Sequence, residues 1–136
     1  MELLKTLNIS VAGMKVQSDR LRVIAENLAN ASTTAGVPGS EPYRRKLVIF
    51  ENVLNRALGI STVRTKGITV DRSPFGQRYD PGHPAADERG NVLLPNVNPM
   101  MEMADMREAL RSYQANLGVI EASKTMVQRT LSILTR

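Results

Sequence analysis

NPMMEMADMREALRSYQANLGVIEASKTMVQRTLSILTR, residues 98–136, carries its apolar side chains in alternating steps of three and four. Met103, Met106, Leu110, Tyr113, Leu117, Ile120, Lys124, Val127, Leu131 and Leu134 hold that spacing over five heptads, and only Lys124 is charged. The period predicts an a/d seam along one side of an α-helix, with the single charged member fixing register at some cost in stability. Asn98-Pro99 opens the helix, because asparagine caps free N–H groups and proline at the first helical position has none to satisfy. Glu102 and Asp105 fall near the positive end of the helix dipole, and Arg129 and Arg136 near the negative end.

The amino-terminal end repeats the pattern. Leu4, Leu7, Val11, Met14, Ser18, Leu21, Ala25 and Leu28 form a seam over four heptads. It runs out at Asn30-Ala31-Ser32-Thr33-Thr34, after which Gly36, Pro38 and Gly39 forbid more helix. At 1.5 Å per residue the two helices are about 40 and 55 Å long. Such lengths do not fold back into a compact globule of 136 residues; the seams are expected to pair with each other and with neighbouring chains. Ala12, Gly13, Ala25, Ala29 and Ala115 would permit close helix approach, although alanine is also simply a good helix former and Gly13 is not. Asn27 and Asn30 close the first helix and Asn116 lies inside the last. Their amides suit either local hydrogen bonds or contacts between subunits.

Between the helices the sequence leans to β. Tyr43 to Phe50 and Ile60 to Arg72 read as strands, the second with a bulge or bend at Gly67. Glu51 to Leu58 reads as a short helix stopped by Gly59. Gln77 to Asp80 and Asn91 to Leu94 form a second strand pair joined by the turn-rich link Pro81 to Gly90. The predicted fold is α+β: long N- and C-terminal helices pairing as a coiled coil, with a small β-rich segment between them. The expected division is 1–34, 35–97 and 98–136, the first and last forming one helical assembly domain.

Chemistry is scarce. There is no cysteine and one histidine, so zinc knuckles, thiol nucleophiles and two-histidine sites are excluded. No phosphate-binding glycine loop or nucleophile elbow is present. His83 stands near Asp80, Asp87 and Glu88, but Pro-Gly-His-Pro reads as a rigid turn with a locally bonded or solvated ring. Met100, Met101, Met103 and Met106 read as adaptable packing rather than a soft-metal site. Neither an enzyme nor a cofactor is expected.

The net charge of +5 is spread along the chain: four basic and three acidic residues in 1–30, nine and six in 31–97, five and four in 98–136. Arg44-Arg45-Lys46 is the one basic run of three and reads as a solvated strand end. With no basic stripe, nucleic acid is not an expected partner. A sequence pI of about 10.0 keeps a basic helical adaptor or nucleic-acid-binding dimer as the alternative function. No run approaches the ~20 apolar residues of a membrane span, and Met1-Glu2-Leu3-Leu4-Lys5 lacks the pattern of a cleaved signal.

Ser10-Val11-Ala12-Gly13-Met14, Gln17-Ser18 and Asn27-Leu28-Ala29-Asn30-Ala31-Ser32-Thr33 together resemble the shared N-terminal motif of bacterial flagellar rod and hook proteins. Tyr79-Asp80-Pro81-Gly82-His83-Pro84-Ala85-Ala86-Asp87 is narrower. With Gly90-Asn91-Val92, Pro95-Asn96-Val97-Asn98, Glu102-Met103 and Tyr113-Gln114-Ala115-Asn116, it is similar to the short proximal-rod members of that family. Ala85 stands where the family usually has an acid, and Asn91 where an aromatic is common.

The resemblance implies a structural subunit of the flagellar basal-body rod, in the periplasm. Such a subunit leaves the cell through the flagellar type III export apparatus without a cleaved signal peptide. Inside the basal-body rings, copies of it and other rod proteins build a helical tube that transmits torque and encloses the export channel. The residues expected to assemble it are Leu4, Leu7, Val11, Met14, Leu21 and Leu28 with Met103, Met106, Leu110, Tyr113, Leu117, Ile120, Val127, Leu131 and Leu134. Asn27, Asn30 and Asn116 are the candidate intersubunit amides.

Overall fold

A computed structural model describes residues 2–134. The order of elements is α1 (Glu2–Ala29), β1 (Lys46–Asn55), β2 (Ile60–Val70), β3 (Gly76–Tyr79), β4 (Asn91–Leu94) and α2 (Pro99–Leu134). The architecture is α+β, two long helices flanking a small β segment.

The helix boundaries follow local chemistry. Asn98 Oδ1 accepts the N–H groups of Met100 at 3.0 Å and Met101 at 3.4 Å, and Pro99 begins α2. At the exit of α1, Glu26 O accepts both the Asn30 N–H at 3.1 Å and Asn30 Nδ2 at 2.8 Å. The expected basic charge at the end of α2 is displaced: Arg129 lies before the last turn, which holds no basic residue, and Arg136 lies outside the described residues.

β1 and β2 form one two-stranded sheet and β3 and β4 another. The second is antiparallel, with Gly76 opposite Leu94 and Tyr79 opposite Asn91. The helix expected over residues 51–58 is not formed; β1 runs on to Asn55. Asn55 then makes the turn itself, its Oδ1 accepting the N–H groups of Ala57 at 3.1 Å and Leu58 at 3.3 Å. Thr62 Oγ1 donates to Val53 O at 3.3 Å, so the returning strand holds as β what local spacing would allow as helix. β2 runs through Gly67 as one strand from Ile60 to Val70.

The chain divides into two compact units, each drawing on distant segments. Unit 1 takes residues 1–21, 49–67 and 107–136. Here α1 and α2 run antiparallel: the Asn116 amide packs against Gly13, and Arg20 pairs with Glu108 at 3.4 Å. A Cβ on Gly13 would sit 2.8 Å from Asn116 Nδ2, so a larger residue there would make the Asn116 side chain shift. Thr65 of β2 donates to Asp19 of α1 at 2.8 Å. Unit 2 takes residues 22–48 and 68–106, and its core gathers Val23, Ile24, Ala85, Val92 and Val97 around buried Asn27 and Glu102.

Candidate assembly surface

The side chains that the helices bury completely lie outside the predicted seam. Along α2 the buried residues Glu102, Ala109 and Ser123 and half-buried Asn116 stand seven apart. On α1, Ser10, Val16, Val23, Ile24 and Asn27 are buried. The apolar seam therefore splits. Leu7, Met14, Leu21, Leu28, Met106, Tyr113 and Ile120 are half-buried, while Leu4, Val11, Met103, Leu110, Leu117, Val127, Leu131 and Leu134 are exposed. Exposure reaches 38% at Leu117, 56% at Leu131 and 77% at Leu134. At Gly13 and Asn116 the two helices meet through a small and a polar residue rather than through the leucines. Of the small residues singled out in the sequence, Gly13 serves this purpose, whereas Ala25, Ala29 and Ala115 face outward.

Unit 2 holds a polar cluster that the sequence did not advertise. The Asn27 amide donates from Nδ2 to Lys46 O at 2.9 Å and to Glu102 Oε2 at 3.1 Å. Its Oδ1 accepts Tyr43 OH and Lys46 N–H, both at 2.9 Å. An amide has two donors and two acceptor positions, so all four are taken inside the chain and none remains for a neighbouring subunit. Asn30 is also used locally, through Glu26 O and the Thr33 hydroxyl. The two amides at the exit of α1 are thus local, and Asn116 packs against its own chain's Gly13.

Arg45 Nε lies 2.5 Å from Oε1 of fully buried Glu102, with Asp105 at 3.4 Å and Asp71 at 3.8 Å. Arg44 stacks on Phe75 at 4.2 Å, and Lys46 pairs with Glu26. The basic run is not a solvated strand end. It is the cationic half of this cluster, because each of its side chains meets a carboxylate or a ring that distant segments bring to it.

Burial pushes the Tyr43 hydroxyl up to about 12, with the Glu26 and then the Glu102 carboxylates adding to the effect. A pKa raised on folding means that the unfolded chain releases the proton first. Stability from Tyr43 is therefore complete below pH ~10 and lost between about 10 and 12. Tyr43→Phe should cost about 1 kcal/mol at pH 8 and flatten the alkaline loss, measured as the difference between wild-type and variant urea midpoints across pH 8–12. A difference that stays constant with pH would contradict this.

His83 sits in a closed loop. Its Nδ1 accepts Ala85 N–H at 3.0 Å, which leaves Nε2 as the donor toward Thr34 Oγ1 at 3.2 Å. The turn reading holds, and the ring also ties the loop to the segment after α1. Gly90 closes the loop with φ +79°, where a Cβ would come within 2.9 Å of Tyr79. Among the described residues no cluster suits a metal ion, and no helix is long and apolar enough to cross a membrane.

The fold also redistributes charge. Among the described residues, unit 1 holds ten basic and five acidic residues, and unit 2 seven and eight. Counting by sequence segment misses this asymmetry, because each unit mixes three or two separate stretches of chain.

Two family models match the chain. Residues 7–36 fit the flagella basal body rod protein model, and residues 88–133 fit the flagellar basal body rod FlgEFG protein C-terminal model. The long helices with their outward apolar stripes thus belong to the class of flagellar basal-body rod proteins. Relatives narrow the class. A flagellar basal-body rod protein FlgC from Agrobacterium fabrum is 51% identical over 126 residues, covering 93% of this chain and 91% of its own. The FlgC of an Escherichia coli strain is 40% identical over 135 residues, 98% of each chain, and that of Borreliella burgdorferi 39% over 151, covering 98% and 99%. The chain belongs to the FlgC family of flagellar basal-body rod proteins.

Proposed function

We propose that this structural rod subunit joins its neighbours through the exposed apolar stripes of α1 and α2, with the terminal segments 1–34 and 98–136 acting as one helical assembly domain. The observation that carries the reading is the split seam: Leu4, Val11, Leu110, Leu117, Val127, Leu131 and Leu134 are exposed, while the fully buried helix residues lie off the seam. Water-exposed apolar rows of this length favour burial against another surface. Contacts between unlike faces of successive subunits do not close into a ring pair and so extend a tube.

In that tube the role is mechanical: to transmit torque across the periplasm and enclose the export channel. The subunit arrives through the type III export apparatus without a cleaved signal, and its neighbours are copies of itself and other rod proteins within the basal-body rings. The reading is structural rather than enzymatic, since the relatives are named as rod proteins. The nucleic-acid adaptor is not favoured, because rod-family membership accounts for the same helices.

A photoreactive residue placed at Val127 should trap a neighbouring rod subunit in intact basal bodies, and the same residue at buried Ser123 should not. Adducts from position 123 but not 127 would overturn the assignment of faces.

A further inference from the structure

The β1–β2 hairpin carries an exposed surface that the helical stripes do not use. Within unit 1 it presents Phe50 and Leu54 to solvent, Leu54 with 61% exposure, beside exposed Arg56 and Lys66. Arg56 and Lys66 have no ion-pair partner among the described residues; Arg64 is matched by Glu51, the hairpin's one acid. The result is an apolar patch with uncompensated positive charge.

Unit 2 carries a surface of the opposite kind. Tyr79 is 71% exposed at the end of β3, followed by the loop 80–90 with Asp80, Asp87 and Glu88 against a single basic residue, Arg89. Asp80 is partly matched by Arg78 at 3.4 Å, while Glu88 is exposed with no ion-pair partner among the described residues. The loop is held in one shape. Asp80 N–H donates to Gly90 O at 2.8 Å, Asp87 N–H to Asn91 O at 2.9 Å, and Asp87 Oδ1 accepts Arg89 and Asn91 N–H groups at 2.9 and 2.8 Å. A surface fixed in advance loses little conformational freedom when it docks.

We propose that the hairpin of one copy docks on the 79–90 loop of a second copy, with Phe50 and Leu54 against Tyr79 and with Arg56 and Lys66 facing Asp87 and Glu88. Charge complementarity selects a copy of this chain as the occupant, since the two patches are matched in sign and both carry apolar area. The patches are different surfaces of one chain, so the contact is heterologous and repeats from copy to copy. The proposal rests on the reading that copies adjoin in the rod, but it uses no residue of the helical stripes.

The chain has no cysteine, so introduced pairs report unambiguously. Copies carrying Leu54→Cys are combined with copies carrying Tyr79→Cys and oxidised mildly, both in isolated basal bodies and as purified full-length chains. A disulfide-linked pair of copies should form from the mixture, with about a tenth as much from either variant alone. Adding Glu88→Lys to the Tyr79→Cys copy should lower the yield about tenfold, the size of one mispaired charge, and adding Lys66→Glu to the other copy should restore it. Copies carrying Leu117→Cys serve as the reference for the stripes. Stripe cross-links without the hairpin–loop product overturn the docking and leave the assembly reading standing. Absence of both overturns both, and a yield indifferent to the charge reversals overturns the electrostatic match.

Discussion

Arg45→Ala should destabilise unit 2 by about 3–5 kcal/mol, the range found when one partner of a buried ion pair is removed. Glu102 is fully buried, and without the guanidinium 2.5 Å away it keeps only the Asn27 amide as a side-chain partner. The charge would remain in a site that water does not reach, which is the costly half of the exchange. By contrast the exposed pairs Lys5–Glu2, Arg44–Glu41 and Arg78–Asp80 are worth at most about 1 kcal/mol each. A loss of 3–5 kcal/mol is a large fraction of the 5–15 kcal/mol of an ordinary domain, so the urea midpoint should fall sharply. Arg45→Met combined with Glu102→Leu removes both charges and should recover much of the loss. A drop under about 1 kcal/mol for Arg45→Ala would show that the pair is solvated and the cluster unimportant.

Asp71 contributes to stability on the acid side. Hydrogen bonds from the Ser73 backbone N–H at 2.8 Å and from its hydroxyl hold the Asp71 carboxyl below the usual carboxylate range; burial opposes them, and Arg45 and then Arg44 add to the lowering. A lowered pKa means that this stability is present at neutral pH and lost as pH falls through the folded value.

How much of this could be read in the sequence depended on distance along the chain. Asn98-Pro99 and Asn30 announced the helix ends because caps act within a few residues. Strands β3 and β4 were legible because turn residues fill the link between them. Residues 51–58 were not, since Val53 and Leu54 suit helix or strand and the choice is made by Thr62 on the returning strand. Arg45 and Glu102 stand 57 positions apart, and nothing local to either announces the other. The split between the helix faces is hidden for a different reason. An apolar stripe marks surface that is to be buried, but it does not say against which molecule. The seven-residue recurrence of Glu102, Ala109, Asn116 and Ser123, together with Gly13, was the signal for the internal face.

That distinction makes Leu117→Asp the sharpest test. Leu117 stands on the outward side of the seam, 38% exposed, beside half-buried Ile120. In the free subunit an aspartate there would remain in contact with water, and the change should cost only about 1–2 kcal/mol, from helix propensity and partly covered apolar area. In a rod the same position would be covered, and burying an unpaired carboxylate costs several kcal/mol. The cost recurs in every copy that enters, so assembly should fail although the subunit folds and is exported. Cells expressing only the variant should secrete soluble subunit and build no rod beyond the membrane ring, hence no hook. Leu117→Asn separates charge from shape, because a neutral amide is less costly to cover and should permit partial assembly. Hooks of normal length on Leu117→Asp cells would mean that this face stays wet in the rod, and the stripes would then have to be abandoned as the surface that joins subunits.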